Sequence, residues 1–332
     1  MKLLSQLSRK QLEALITFKR ETIMFPQFAE AYRRISESLA LYQTTGLVEN
    51  HLMHGHAGCG KSTLCHLLRG EHPRVVEAER DVVPLLYAAV PALATISSVT
   101  EALLRELGDP LPTKGTNSAK TDRVITLIEG CDVAMIILDE AQHVNDRGQS
   151  PTIYKVGDWI KNLADSSRRP IVLSGLPRVQ GLINTNEQLR RRFGSELTLD
   201  RLILDDSESM AEFAGLASSL IDALPVKCSL DLTREEVLER LYYATDGRVG
   251  YMASLFHRAL LLTYLADARC IDQGVLELAF TQQIWAGGIG KLNPFNENFC
   301  FRRLDKLGEP FNDTDAPKRK ESKVHGGEVT LV

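Results

Sequence analysis

A chain of 332 residues exceeds the usual size of one domain and is expected to carry a main domain with one or two attached subdomains. Charged residues at 25% and hydrophobic residues at 44% exclude a wholly disordered or fibrous protein. A formal net charge of −4 does not advertise a nucleic-acid binder, so any basic surface has to be local. The six cysteines show no C-x-x-C pair or regular spacing, which points to free thiols in a reducing compartment rather than a zinc site or disulfide framework. The start, MKLLSQLSRKQ, lacks the apolar run of a signal peptide, and no window is long enough to cross a bilayer. The expected location is cytoplasmic, with no membrane partner.

From position 8 to about 41, apolar residues recur at spacings of three and four, and Pro26 divides the stretch into two expected helices. A short strand over 51–54 runs into a glycine-rich loop, and a helix follows from Lys61. Next come an apolar run over 82–90, a capped helix over 97–107, and a helix over 119–129 that ends at Gly130. A buried strand over 133–138 leads into Asp139. Ile153, Val156, Ile160 and Leu163 mark one helical face, and further short strands are read at 171–173 and 196–199. Strands alternating with helices argue for a parallel sheet covered on both faces. After Asp205 the alternation stops, and amphipathic helices are expected over 207–224, 234–244, 251–265 and 274–285. The run at 286–290 reads as a flexible break. The polar stretch from Asp313 has too little apolar surface to fold.

Residues 55–63, Gly55-His56-Ala57-Gly58-Cys59-Gly60-Lys61-Ser62-Thr63, fit the phosphate-loop pattern G-x-x-x-x-G-K-[ST]. The glycines let main-chain N–H groups turn inward around phosphate oxygens, and the following helix presents its positive end to the same anion. Lys61 would reach the β- and γ-phosphates of ATP, Ser62 would supply an oxygen to Mg2+, and Thr63 would support the helix start. At the tip of a buried strand, Asp139 is the second expected magnesium ligand, direct or through water. Glu140 is placed to orient or deprotonate the attacking water.

Other positions leave two readings open. Ser174 is either a polar sensor of the γ-phosphate or a helix cap. One arginine of Arg190-Arg191-Arg192 either reaches a neighbouring subunit's γ-phosphate or belongs to a solvated basic turn. Arg248 is either a second sensor or a surface arginine. His54, His56 and His66 lack partners at metal spacing and read as locally packed.

Together GHAGCGKST, IILDEAQHV, VGDWIKNL, PIVLSGLP, NEQLRRRF and KLNPF resemble the transposition-regulator ATPases of the TniB/TnsC type in the AAA+ superfamily, over residues 45 to 300. The resemblance implies an α/β fold: a P-loop AAA+ αβα sandwich with a parallel five-stranded sheet and a C-terminal helical lid. It implies an ATPase using ATP and Mg2+. It also implies assembly with itself into rings or helical filaments on double-stranded DNA, linking a target-selection protein of the TniQ type to the transposase. Hydrolysis would then drive disassembly. Lys61, Ser62, Asp139 and Glu140 keep the roles given above, and Arg192 takes the place of the family's trans-acting arginine.

The implied organisation is an N-terminal helical extension (1–45), a nucleotide-binding domain (46–205), a helical lid (206–285) and a C-terminal extension with a disordered tail (286–332). For DNA, Lys114, Thr116, Lys120 and Arg123 place cations and hydroxyls in an expected inter-helix loop. That chemistry suits phosphate contact without base readout, although a solvated loop looks the same in sequence. A helicase-loader-like motor and a signalling or defence ATPase are the alternative functions; no recognisable effector segment follows the lid.

Overall fold

Local signals set the helix ends. Ser8 and Gln11 form a capping box that opens α1 (Arg9–Arg20), and Pro26 begins α2 (Pro26–Thr45), which Gly46 closes in the left-handed conformation. The computed structural model describes residues 7–92, 94–146, 150–184 and 187–312. The polar stretch from Asp313, expected to stay unfolded, lies outside the described residues.

The sheet strands are β1 (His51–His54), β2 (Leu85–Ala89), β3 (Met135–Asp139), β4 (Ile171–Gly175) and β5 (Ser195–Thr198). They form one five-stranded sheet in the order β2-β3-β4-β1-β5, and every pairing is parallel. Parallel neighbours need crossovers. These are supplied by α3 (Lys61–Glu71), α4 (Ile96–Glu106), α5 (Asn117–Gly130), α6 (Ser150–Ser167) and the short α7 (Glu187–Arg192). Strand residues alternate between two cores, as the period of two requires. Met53, Met135, Ile137 and Val172 face the side of α2 and α3, while Leu52, Leu86, Ile136 and Leu173 face α4, α5 and α6.

Beyond the sheet, an Asp206–Ser209 capping box starts α8 (Ser207–Asp222), followed by α9 (Glu235–Thr245), α10 (Val249–Leu265) and α11 (Gln273–Ala279). The last expected helix is shorter than its apolar pattern suggested, since residues 280–284 wind as a π turn.

The expected flexible break at 286–290 is corrected by the structure. Asn293 is fully buried, and its Nδ2 donates to the carbonyls of Glu277 and Gly288, each at 2.9 Å. Two of the three glycines there are closely packed: a Cβ would lie 2.8 Å from the Trp285 ring at Gly287 and 2.3 Å from the Phe280 ring at Gly288. Residues 286–312 then return over the helices, burying Phe295, Phe299, Leu304 and Phe311 in the same core as α2 and α10. No helix among the described residues is long and apolar enough to cross a membrane.

Candidate nucleotide-binding site

The chain leaves β1 through a loop that needs glycine at three positions. A Cβ at Gly55 would meet the Leu199 carbonyl at 1.6 Å, and Gly58 and Gly60 have φ of 79° and 97°, the left-handed region. Lys61 begins α3 and is buried, its Nζ donating to the carbonyls of Gly55 at 2.6 Å and His56 at 2.8 Å. Burial lowers its pKa, opposed by the nearby carboxylates of Asp139 and Glu140.

Asp139, at the end of β3, gathers the hydroxyls around it. Ser62 donates to Oδ2 at 2.7 Å, Tyr87 to the same oxygen at 3.2 Å, and Ser174 to Oδ1 at 2.7 Å. Burial, then the charge of Asp139, raises the Tyr87 pKa well above the ordinary phenol range, so its hydroxyl stays a donor. Ser174 therefore sits inside β4 and is no helix cap. Its hydroxyl is spent on Asp139, and it does not line the cavity beside the loop.

That cavity, about 320 Å³, is lined by Gly58, Gly60, Lys61, Ser62, Thr63 and Glu140 on the loop and β3 side. Its apolar wall includes Ile23, Phe25 and Phe28 from the α1–α2 junction, and Leu220, Val249 and Ala253 from the C-terminal helices. A polar floor for phosphates beside an apolar wall suits a nucleotide. Sequence reasoning placed residues 1–45 in a separate extension. Only folding brings 21–28 to the loop, and no local period signals it.

His56 is held through its ring Nδ1, 2.5 Å from Asp200 Oδ1. Burial alone would raise the Asp200 pKa, yet the His56 ring and the Arg201 amide bring it down to about 2.

Arg248 is not a surface arginine: it is 5% exposed at the start of α10. Its guanidinium lies 3.1 Å from Asp246 and 3.5 Å from the Ala57 carbonyl of the phosphate loop. The Gly250 N–H donates to Gly58 O at 2.8 Å, so the start of α10 docks directly on that loop. Asp246 itself is fully buried and is shared by Arg201, Arg248 and Arg303.

Arg192 stands apart from the cavity. It forms a two-armed ion pair with Asp165 of α6, at 2.7 and 2.9 Å from Nη2, and donates to Gln188 O. Arg190 and Arg191 are exposed on α7.

The expected phosphate-contacting loop is corrected in part. Lys120 is 4% exposed and lies within α5, its Nζ 2.6 Å from Glu101 and 2.9 Å from Ser97. Arg123 pairs with Asp109 at 2.8 Å and donates to the carbonyls of Lys114 and Leu111. Both cations thus tie α5 to α4 and the intervening turn. Thr116 caps α5, accepting from the Ala119 N–H at 3.3 Å. Of Lys114, Lys120 and Arg123, Lys114 is the exposed one.

Comparison with known proteins agrees with this geometry. The model of the bacterial TniB protein family matches residues 16–201, more than half of the chain. A search of curated protein sequences returned no significant match. Among solved structures, the Aeropyrum pernix ORC1 protein in complex with DNA is similar, with a TM-score of 0.59 and 16% identity. The match covers 82% of this chain and 69% of that one. Cdc6p of Pyrobaculum aerophilum follows with a TM-score of 0.58 and 12% identity, over 78% and 67% of the two chains. The ORC2 protein of Aeropyrum pernix in its ADPNP–ADP complexes gives 0.55 and 14%, over 80% and 70%. At these identities the likeness concerns the fold. Sheet order, phosphate loop and acidic strand tip define a P-loop AAA+ ATPase fold. Within that class, the chain belongs to the bacterial TniB family.

Proposed function

We propose that this chain is an ATP-hydrolysing regulator of DNA transposition. It assembles with itself on double-stranded DNA and links a target-selection protein of the TniQ type to the transposase, with hydrolysis driving disassembly. The observation that carries the chemistry is the Ser62–Asp139 contact of 2.7 Å at the meeting of α3 and β3, beside a lysine and a glutamate that face one cavity. Membership of the TniB family supports the biological setting.

In this reading residues 46–205 carry the nucleotide and residues 206–285 form the lid. Lys61 leaves its carbonyl partners to neutralise the β- and γ-phosphates. Ser62 and Asp139 are hard oxygen donors at hydrogen-bonding distance, a pair that fits Mg2+. When bound, Mg2+ would offset the negative charge of those phosphates. Glu140 takes a proton from water as its oxygen attacks the γ-phosphorus and the bond to the bridging oxygen breaks. Arg248 reaches the phosphates from the lid side, and Arg192 exchanges Asp165 for the γ-phosphate of a neighbouring subunit. Ser174 acts through Asp139. Lys114 contacts the DNA backbone.

Two variants test the reading. Lys61→Ala should lose ATP binding, measured by a fluorescent analogue. Glu140→Gln should bind ATP but turn it over at least about a hundred-fold more slowly. Electron microscopy of Glu140→Gln with DNA and ATP should show rings or filaments that are missing without nucleotide. Equal nucleotide affinity in wild type and Lys61→Ala would remove the assignment.

A further inference from the structure

Gln142 lies two residues beyond Glu140, is 1% exposed, and has both ends of its amide engaged. The Leu176 N–H meets Oε1 at 3.0 Å. A main-chain N–H can only donate, so this contact fixes which end of the amide is oxygen. Nε2 then faces the Glu140 carboxylate and donates to Oε2.

Space for this bridge is made by Gly175, where a Cβ would lie 2.5 Å from Gln142 Oε1. The backbone around it is tied as well: the Ala141 N–H donates to Ser174 O at 2.8 Å, and the Glu140 N–H donates to Asp139 Oδ1 at 2.9 Å. Glu140 has φ of 57°, a conformation that a non-glycine residue keeps only under tertiary constraint. The hydroxyl of Ser174 is committed to Asp139. The polar path from the tip of β4 to the carboxylate of Glu140 therefore runs through Gln142. Leu176, at the other end of that path, lines the nucleotide cavity.

We propose that Gln142 is a positioning residue that holds the Glu140 carboxylate in register with the tip of β4 and transmits movement of Leu176 to it. The proposal rests on the reading of Glu140 as the base for ATP hydrolysis.

Gln142→Met keeps side-chain length and removes both hydrogen bonds. It should lower kcat at least about 10-fold while the KM for ATP changes by less than about two-fold. In a Glu140→Gln background the same substitution should lower single-turnover hydrolysis by less than about two-fold, because the carboxylate it positions is already gone. A packing role alone would cost the same in both backgrounds. Gly175→Ala crowds the same amide without changing Gln142 or Glu140 and should give the same kcat loss at nearly unchanged KM; it carries the test if Gln142→Met does not fold. A folded Gln142→Met with wild-type kcat, a change confined to KM, or an equal loss in the Glu140→Gln background overturns the proposal. Absence of ATP hydrolysis by the wild type would instead remove the hydrolysis reading and this inference with it.

Discussion

Arg303 reaches back across the chain to Asp246, with Nε 2.6 Å from Oδ1 and Nη2 2.8 Å from Oδ2. Asp246 sits at the end of α9 with φ of 51°, two residues before the arginine that touches the phosphate loop. Residues past α11 thus brace the joint between the helical region and the nucleotide site.

Arg303→Ala should destabilise the protein by about 1–3 kcal/mol, since a buried carboxylate loses one charged partner while two remain. The urea midpoint reads this directly. An unchanged midpoint would mean that Arg201 and Arg248 suffice for Asp246.

Acid should report on the phosphate loop. Because the Asp200 pKa falls to about 2 in the folded chain, against about 3.9 for an unperturbed aspartate, its contribution is complete above pH ~4 and fades as pH drops through 2. Asp200→Asn should be less stable than wild type at neutral pH, and the two stability curves should converge near pH 2. Parallel curves down to that pH would show that the His56 contact adds nothing.

Lys114 and Lys120 should behave differently. Lys114→Ala should weaken binding to all DNA sequences alike. Each lost phosphate contact should flatten the slope of log affinity against log salt by about 0.9. Lys120→Ala removes the ion pair with Glu101 and should lower the melting temperature. A salt slope unaltered in Lys114→Ala would remove the phosphate contact.

Arg192→Ala should bind ATP within about two-fold of wild type, because the side chain pairs with Asp165 and does not line its own cavity. Hydrolysis and ordered assembly should fall. Mixing with Lys61→Ala subunits should restore activity in part, as these supply the arginine that a neighbouring ATP-loaded Arg192→Ala site lacks. Full activity of Arg192→Ala at every concentration would exclude a trans-acting role for this residue.

Much of the site was legible in the sequence because its chemistry is local. The glycines, Lys61 and Ser62 fall within one loop and the first turn of α3, and Asp139 and Glu140 lie at the end of a strand whose apolar run announces burial. The same locality explains the parallel sheet, since each strand and crossover helix carries its own period. Partnerships across the chain are different. Nothing near Lys120 in sequence reveals Glu101, nothing near Tyr87 reveals Asp139, and nothing at the α1–α2 junction reveals the cavity it helps to wall. A charge reads the same in sequence whether it is solvated or paired, so only the tertiary structure separated Lys114 from Lys120. The run at 286–290 looked like a hinge because glycine is conformationally free. Folding used the missing side chain of Gly288 for close packing against Phe280, and the identity of that neighbour is set by the fold rather than by local composition.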